Sequence, residues 1–86
     1  MGTYVYLVSG ALGYEARIKN EEDHFLDDLT MTSHLGEKLV TAFNVQHGKV
    51  TGIFRKMNEF AKDYNSKKNP SLPDLETAVR EMLQQK

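Results

Sequence analysis

The chain has 86 residues, of which 40% are hydrophobic and 27% are charged, and its formal net charge is −1. This length predicts a single domain, residues 1–86, with a small core, and the composition excludes disordered and fibrous classes. Because the sequence contains no Cys, disulfide frameworks, thiolate metal sites and cysteine nucleophiles are excluded as well.

The first two predicted elements form a β-hairpin. Residues 3–8 are almost all β-branched, aromatic or aliphatic, which predicts a strand. Residues 9–13 include two glycines and supply the turn, and residues 14–19 alternate strictly between apolar and charged side chains. The first strand shows no such alternation, because apolar side chains fall on both of its faces.

A short acidic helix is predicted after the hairpin. Asn20 can cap its N-terminus, and the acids that follow suit the positive end of the helix dipole. These acids contribute to a charge asymmetry along the chain: residues 1–37 carry seven acids and two bases, whereas residues 38–86 carry nine bases and five acids. Such an asymmetry can steer a charged partner.

Residues 35–54 fit two different patterns. Their apolar residues fall at helical spacing, which allows one long helix, but many β-branched residues and two glycines favour strands. His47-Gly48 lies midway between Val45 and Val50, as a two-residue hairpin turn would. Because an isolated hairpin is only marginally stable, additional strands would support the first one. We therefore expect a second hairpin around His47-Gly48, with a continuous helix as the alternative.

The C-terminal part of the chain predicts two helices. An apolar face at helical spacing indicates a helix from Arg55 onward. Ser71, followed by Pro73 and Asp74, is typical of a helix N-terminus and predicts a C-terminal helix over residues 72–85. The expected fold is therefore α+β, with a small antiparallel sheet packed by two or three helices.

No export signal or membrane span is predicted. The longest apolar run, Tyr4 to Val8, is far shorter than either requires, and no basic segment precedes it. A chain that folds without disulfides also suits a reducing compartment. We expect a soluble, cytoplasmic protein without membrane contact.

No group of residues in the sequence predicts catalysis, a metal site or a cofactor. His24, Asp27 and Asp28 fall on one side of the acidic helix, but ligands from one helix alone do not close a metal site. Gly10 and Gly13 lack the third glycine and the following helix of a phosphate-binding loop. There is no nucleophile elbow, and so small a domain offers little room for a water-excluding pocket. We expect a non-enzyme with no catalytic residue, no metal and no cofactor.

The leading functional hypothesis depends on the first strand. The helices of so small a domain readily cover one face of a sheet, so a second apolar face invites a partner or a second copy. We expect a small non-catalytic interaction or regulatory protein, of the size of phage-encoded accessory proteins, that binds an unidentified protein and forms a homodimer. Contact would be made by Tyr4 and Tyr6 or by acids of the helix, namely Asp23, Asp27 and Asp28. The alternative is a strand buried on both faces within the monomer.

Nucleic-acid binding is the alternative function. Six bases within twenty residues could follow a phosphate backbone: Lys49, Arg55, Lys56, Lys62, Lys67 and Lys68. Tyr4 and Tyr6 would also share an exposed face with Arg17 and Lys19 if all four lie on the same side of the sheet. Exposed rings beside cations are typical of surfaces on which the bases of single-stranded nucleic acid stack. The near-zero net charge and the acidic block at residues 21–28 oppose both surfaces.

Overall fold

The computed structural model describes residues 2–20 and 36–85 of the chain. Three strands and two helices follow one another there: β1 (Gly2–Gly10), β2 (Gly13–Asn20), β3 (Lys38–Gln46), α1 (Val50–Asn65) and α2 (Leu72–Gln84). The strands form one antiparallel sheet in the order β2-β1-β3. The predictions of an α+β fold, an N-terminal hairpin and a C-terminal helix are confirmed.

The N-terminal hairpin has a tight turn. β1 and β2 pair up to Gly10 opposite Gly13, which leaves only Ala11 and Leu12 between the strands. Gly13 has a φ of 109°, in the region of backbone conformation that favours glycine. A Cβ at this position would also collide with Oδ1 of Asn65, so the turn needs a residue without a side chain.

β1 is the central strand and is buried on both faces. Val5 and Leu7 are fully buried in the core that the sheet forms with the helices. Tyr6 and Val8 lie on the opposite face and are 2% and 0% exposed. A strand that is covered on both sides needs no polar alternation, which explains the continuous apolar run. Burial of both faces within one chain, the alternative raised from the sequence, is what the structure contains.

The predicted second hairpin around His47-Gly48 is wrong. β3 ends at Gln46, residues 47–49 form a turn of 3-10 helix, and the chain continues directly into α1. The alternative of one helix over residues 35–54 is wrong as well, because residues 38–46 pair with β1. The turn-like pair therefore marks a change from strand to helix.

α1 supplies most of the helical side of the core. Its buried side chains recur at helical spacing and are Ile53, Met57, Phe60 and Ala61. Their burial outweighs the low helix propensity of the β-branched residues and the glycine in the first turn of α1. α1 packs mainly against β2, and through this contact it shapes the edge of the sheet.

α2 begins as its sequence predicts. The N–H of Asp74 donates to Oγ of Ser71 at 3.3 Å, and a proline occupies the first turn. Leu75 and Val79 are buried against the rest of the core.

The predicted acidic helix, with Asp23, Asp27 and Asp28, lies outside the described residues. Within the described ranges, neither helix is long and apolar enough to cross a membrane.

Candidate functional site

The outer edge of β2 is closed at one end by a side chain. The N–H of Tyr14 donates to Oδ1 of Asn65 at 2.8 Å, and Nδ2 of Asn65 donates to the carbonyl of Tyr14 at 2.9 Å. Asn65, the last residue of α1, therefore takes the place that a neighbouring strand would have. The two bonds also establish that the N–H and C=O groups of Tyr14 point away from β1.

Beyond Tyr14, the residues that the structure describes leave the edge of β2 open. Ala16 and Ile18 follow at the two-residue period of a strand, so their backbone N–H and C=O groups point outward as well. No group in residues 2–20 or 36–85 forms a hydrogen bond with these outward groups. Unpaired groups on an edge strand are a template for pairing with another strand.

A groove with a volume of about 510 Å³ borders this open edge. Its lining comes from both faces of the sheet and from α1, and comprises Tyr6, Ala16, Arg17, Ile18, Lys19 and Phe54. Ile18 is 45% exposed although it lies on the sheet face that packs against the helices, and Ala16 is 8% exposed. Phe54 is partly buried and packs against the core. Apolar side chains thus lie directly beside unpaired backbone groups, the combination that extended peptides use when they add to a sheet.

Two basic residues, Arg17 and Lys19, line the other side of the groove. Arg17 lies 2.8 Å from a carboxylate oxygen of Glu15 and 2.8 Å from one of Glu37. Burial by itself would lower the pKa of Arg17, but hydrogen bonds to the two carboxylates raise it above its ordinary value. Lys19 has no carboxylate within ion-pair distance among the described residues. Of the two basic residues, Lys19 is therefore the one whose charge the described residues leave available to a ligand of the groove.

Aromatic packing fixes the closed end of the edge. The ring of Tyr14 stacks on that of Tyr64, with centroids 3.8 Å apart and an interplanar angle of 13°, and its centroid lies 6.0 Å from that of Phe60. Burial raises the pKa of the Tyr14 hydroxyl above its ordinary value, and a hydrogen bond and a Coulombic interaction with Tyr64 raise it further. Together with the bonds of Asn65, this packing holds β2 in place against the C-terminal end of α1.

The tyrosines predicted to contact a partner lie on the face opposite the helices. Tyr4 pairs with Lys19 and Tyr6 with Arg17, so the rings and the cations do share one face. Tyr6 is only 2% exposed, however, and Tyr4 is half-buried. This face is therefore not an exposed stacking platform at Tyr6.

Lys49, one of the six bases considered for nucleic-acid binding, is engaged within the fold. Its Nζ donates to the carbonyls of Met82 at 2.8 Å and of Leu83 at 3.0 Å, and also to that of Gln85. An ammonium group at this position satisfies carbonyls that α2 leaves unpaired at its C-terminal end and complements the helix dipole. The charge of Lys49 therefore stabilises the contact between the two helices.

The other five bases are exposed but do not form one continuous row. Arg55 and Lys62 lie seven residues apart on the same outer face of α1, and Lys56 borders a hollow between α1 and α2. Lys67 and Lys68 follow the helix, and Nζ of Lys68 lies 3.9 Å from Oδ1 of Asp63.

The described residues contain no cluster of three or more side chains that could hold a metal ion. Comparisons of the chain with protein-family models, with curated proteins and with solved structures find no match.

The sequence alone does not single out the edge of β2. The alternation in residues 14–19 indicates which side chains face the core, but the outward direction of a backbone group depends on the pairing with β1. Asn65 falls at the start of a polar segment and has no feature that predicts a contact with Tyr14 fifty-one residues away.

Proposed function

We propose that the chain is a non-catalytic interaction protein that binds another protein by accepting an extended segment as an additional strand along β2. The observation that carries this proposal is the pair of outward backbone groups at Ala16 and Ile18 beside a groove that is apolar on its helix-facing side. In strand addition, main-chain hydrogen bonds supply affinity and the pockets beside the strand supply specificity. A regulatory role would follow from competition for, or masking of, the segment that is bound.

The proposal can be tested at the N–H of Ile18. Ile18→Pro removes this outward donor without removing a bond to β1, a position at which an edge strand tolerates proline. We expect the protein to select binders from a displayed library of short random peptides. Ile18→Pro should weaken the binding of these peptides at least about tenfold in calorimetry, because a main-chain bond is lost and the ring obstructs the edge.

Asn44→Pro is the matched control on the opposite edge. Tyr4 pairs with both Lys19 and Asn44, and it directs its backbone groups toward β2, so those of Asn44 point away from β1. Asn44→Pro should leave peptide binding unchanged, and Ile18→Ala should weaken it less than Ile18→Pro. The proposal is wrong if the library yields no binder, or if Ile18→Pro binds the peptides as tightly as the unchanged protein.

The homodimer stays a prediction, with a different basis. Since both faces of β1 are buried, we propose that a second copy would use the same edge of β2. Antiparallel pairing of Ala16 with Ile18 of the other copy also brings Glu15 opposite Lys19. The same register places Arg17 opposite Arg17 of the other copy. Because each guanidinium already pairs with Glu15 and Glu37, the repulsion between the two guanidinium groups is reduced. Light scattering at high micromolar concentration should detect a dimer that Ile18→Pro disrupts; a monomer would remove the homodimer but not the binding of a partner.

Nucleic-acid binding is the second candidate, supported by the exposure of Arg55, Lys62 and Lys67. None of these three has a carboxylate within ion-pair distance in the described part of the chain. A labelled single-stranded oligonucleotide would then bind with an affinity that falls steeply as salt rises, as fluorescence anisotropy can measure. Glu substitutions at Arg55 and Lys62 should weaken that binding, whereas Lys49→Met should change it little. No binding at physiological salt would exclude this candidate.

A further inference from the structure

We infer that the segment accepted by β2 contains an acidic residue next to an apolar one, with the acidic side chain against Lys19 and the apolar one against Ile18 and Phe54. The inference rests on the proposed function, and it specifies the chemistry of the partner. Adjacent residues of a strand point to opposite faces of the sheet, so a docked dipeptide places one side chain on each side of the β2 edge.

The helix-facing side of the edge calls for an apolar residue. Ile18 keeps 45% of its surface exposed, and Phe54 lines the same groove. An apolar side chain directly opposite Ile18 would lie between these two residues and remove their remaining apolar surface from water.

The opposite side of the edge calls for an acid. Among the residues that the structure describes, the lining of the groove includes Arg17 and Lys19 and no carboxylate. The guanidinium of Arg17 is already bonded to Glu15 and Glu37, so a carboxylate opposite Lys19 gains the most. At directly paired positions of two strands, charges of opposite sign stabilise the pairing and charges of the same sign destabilise it.

Asn65 limits the register of the docked segment. Because its side-chain amide already bonds both outward groups of Tyr14, a docked strand can pair with β2 only from Ala16 onward. The stretch of β2 that can pair with a docked segment is therefore short, and it contains Ile18 and Lys19.

The test uses three short peptides with capped ends, in which Val alternates with Glu, with Gln or with Lys. We expect the Glu peptide to bind the full chain about twofold to fivefold more tightly than the Gln peptide for each ion pair formed, and the Lys peptide to bind most weakly. Lys19→Glu should reverse the order of the Glu and Lys peptides. Lys56→Glu, which changes the net charge equally on α1, should preserve it.

The outcomes separate the inference from the proposed function. If all three peptides bind equally and Ile18→Pro abolishes their binding, the edge accepts a strand but the preference for an acid is wrong. If Lys56→Glu reverses the order as Lys19→Glu does, the preference comes from net charge and the inference is also wrong. If no peptide binds, or if Ile18→Pro leaves binding intact, the proposed function fails and the inference fails with it.

Discussion

Asn65 is the residue that determines where the edge of β2 is closed. Its amide oxygen and nitrogen bond the N–H and the C=O of the same residue, Tyr14, as a paired strand would. The contact is possible because Gly13 has no side chain; a Cβ there would collide with the amide of Asn65. The turn glycine and the last residue of α1 thus depend on each other.

A double-mutant cycle tests this dependence. Gly13→Ala should lower the free energy of unfolding by more than about 1 kcal/mol, because its φ is positive and its methyl group meets Asn65. Asn65→Ala should lower it by about 1–2 kcal/mol through the loss of two hydrogen bonds. In the double variant the collision is absent, so urea denaturation should give a total smaller than the sum of the single effects. Additivity within about 0.5 kcal/mol would show that the two residues are not coupled.

Lys49 connects the start of α1 to the end of α2. Its ammonium group has three donors, and three carbonyls at the C-terminal end of α2 accept from it. The two helices are therefore joined by a polar contact at one end as well as by the core between them.

Replacement of Lys49 measures the strength of this connection. Lys49→Met keeps an unbranched apolar side chain but removes the donors, and should lower the free energy of unfolding by about 1 kcal/mol. Lys56→Met, at an exposed position of α1, should change it by less than about 0.5 kcal/mol. Equal effects of the two substitutions in urea denaturation would mean that the contact at the C-terminus of α2 contributes nothing.

At the scale of the elements, the sequence predicts the hairpin and the C-terminal helix but not the middle of the chain. The alternation in residues 14–19 and the cap at Ser71 are local features, and local features suffice for β2 and α2. Residues 38–46 become a strand because they pair with β1, and the paired residues lie between 29 and 44 positions apart in the sequence. No local sequence pattern predicts the pairing of β3 with β1.

In the region that follows β3, tertiary packing outweighs local strand propensity. Val50, Thr51 and Ile53 favour a strand by propensity, yet they lie in α1 because Ile53 and Met57 bury one helical face on the sheet. His47-Gly48 resembles a hairpin turn in sequence, and in the fold it precedes a helix. Tertiary packing decides between two periodicities that the sequence supports almost equally.

At the scale of the whole molecule, the described residues form a three-stranded sheet with helices on its core face, and among them only α1 partly covers the edge at β2. Of the sheet surface first expected to bind a partner, Tyr6 is buried and Tyr4 is half-buried. What replaces that surface is a row of backbone groups at Ala16 and Ile18, bordered by a groove whose lining includes Phe54 and Lys19. The binding groups of the candidate site are backbone N–H and C=O groups, which every residue has, so no side-chain pattern in the sequence indicates them.

Amide hydrogen exchange at β2, followed residue by residue, tests the central claim most directly. In the free protein the amides of Arg17 and Lys19 bond to β1 and should exchange slowly, whereas the outward amide of Ile18 should exchange quickly. Saturation with the peptide that alternates Val and Glu should slow the Ile18 amide selectively, because a docked strand accepts a hydrogen bond from it. If the peptide saturates the protein while the Ile18 amide remains as fast as before, no strand is added at β2 and the account is contradicted.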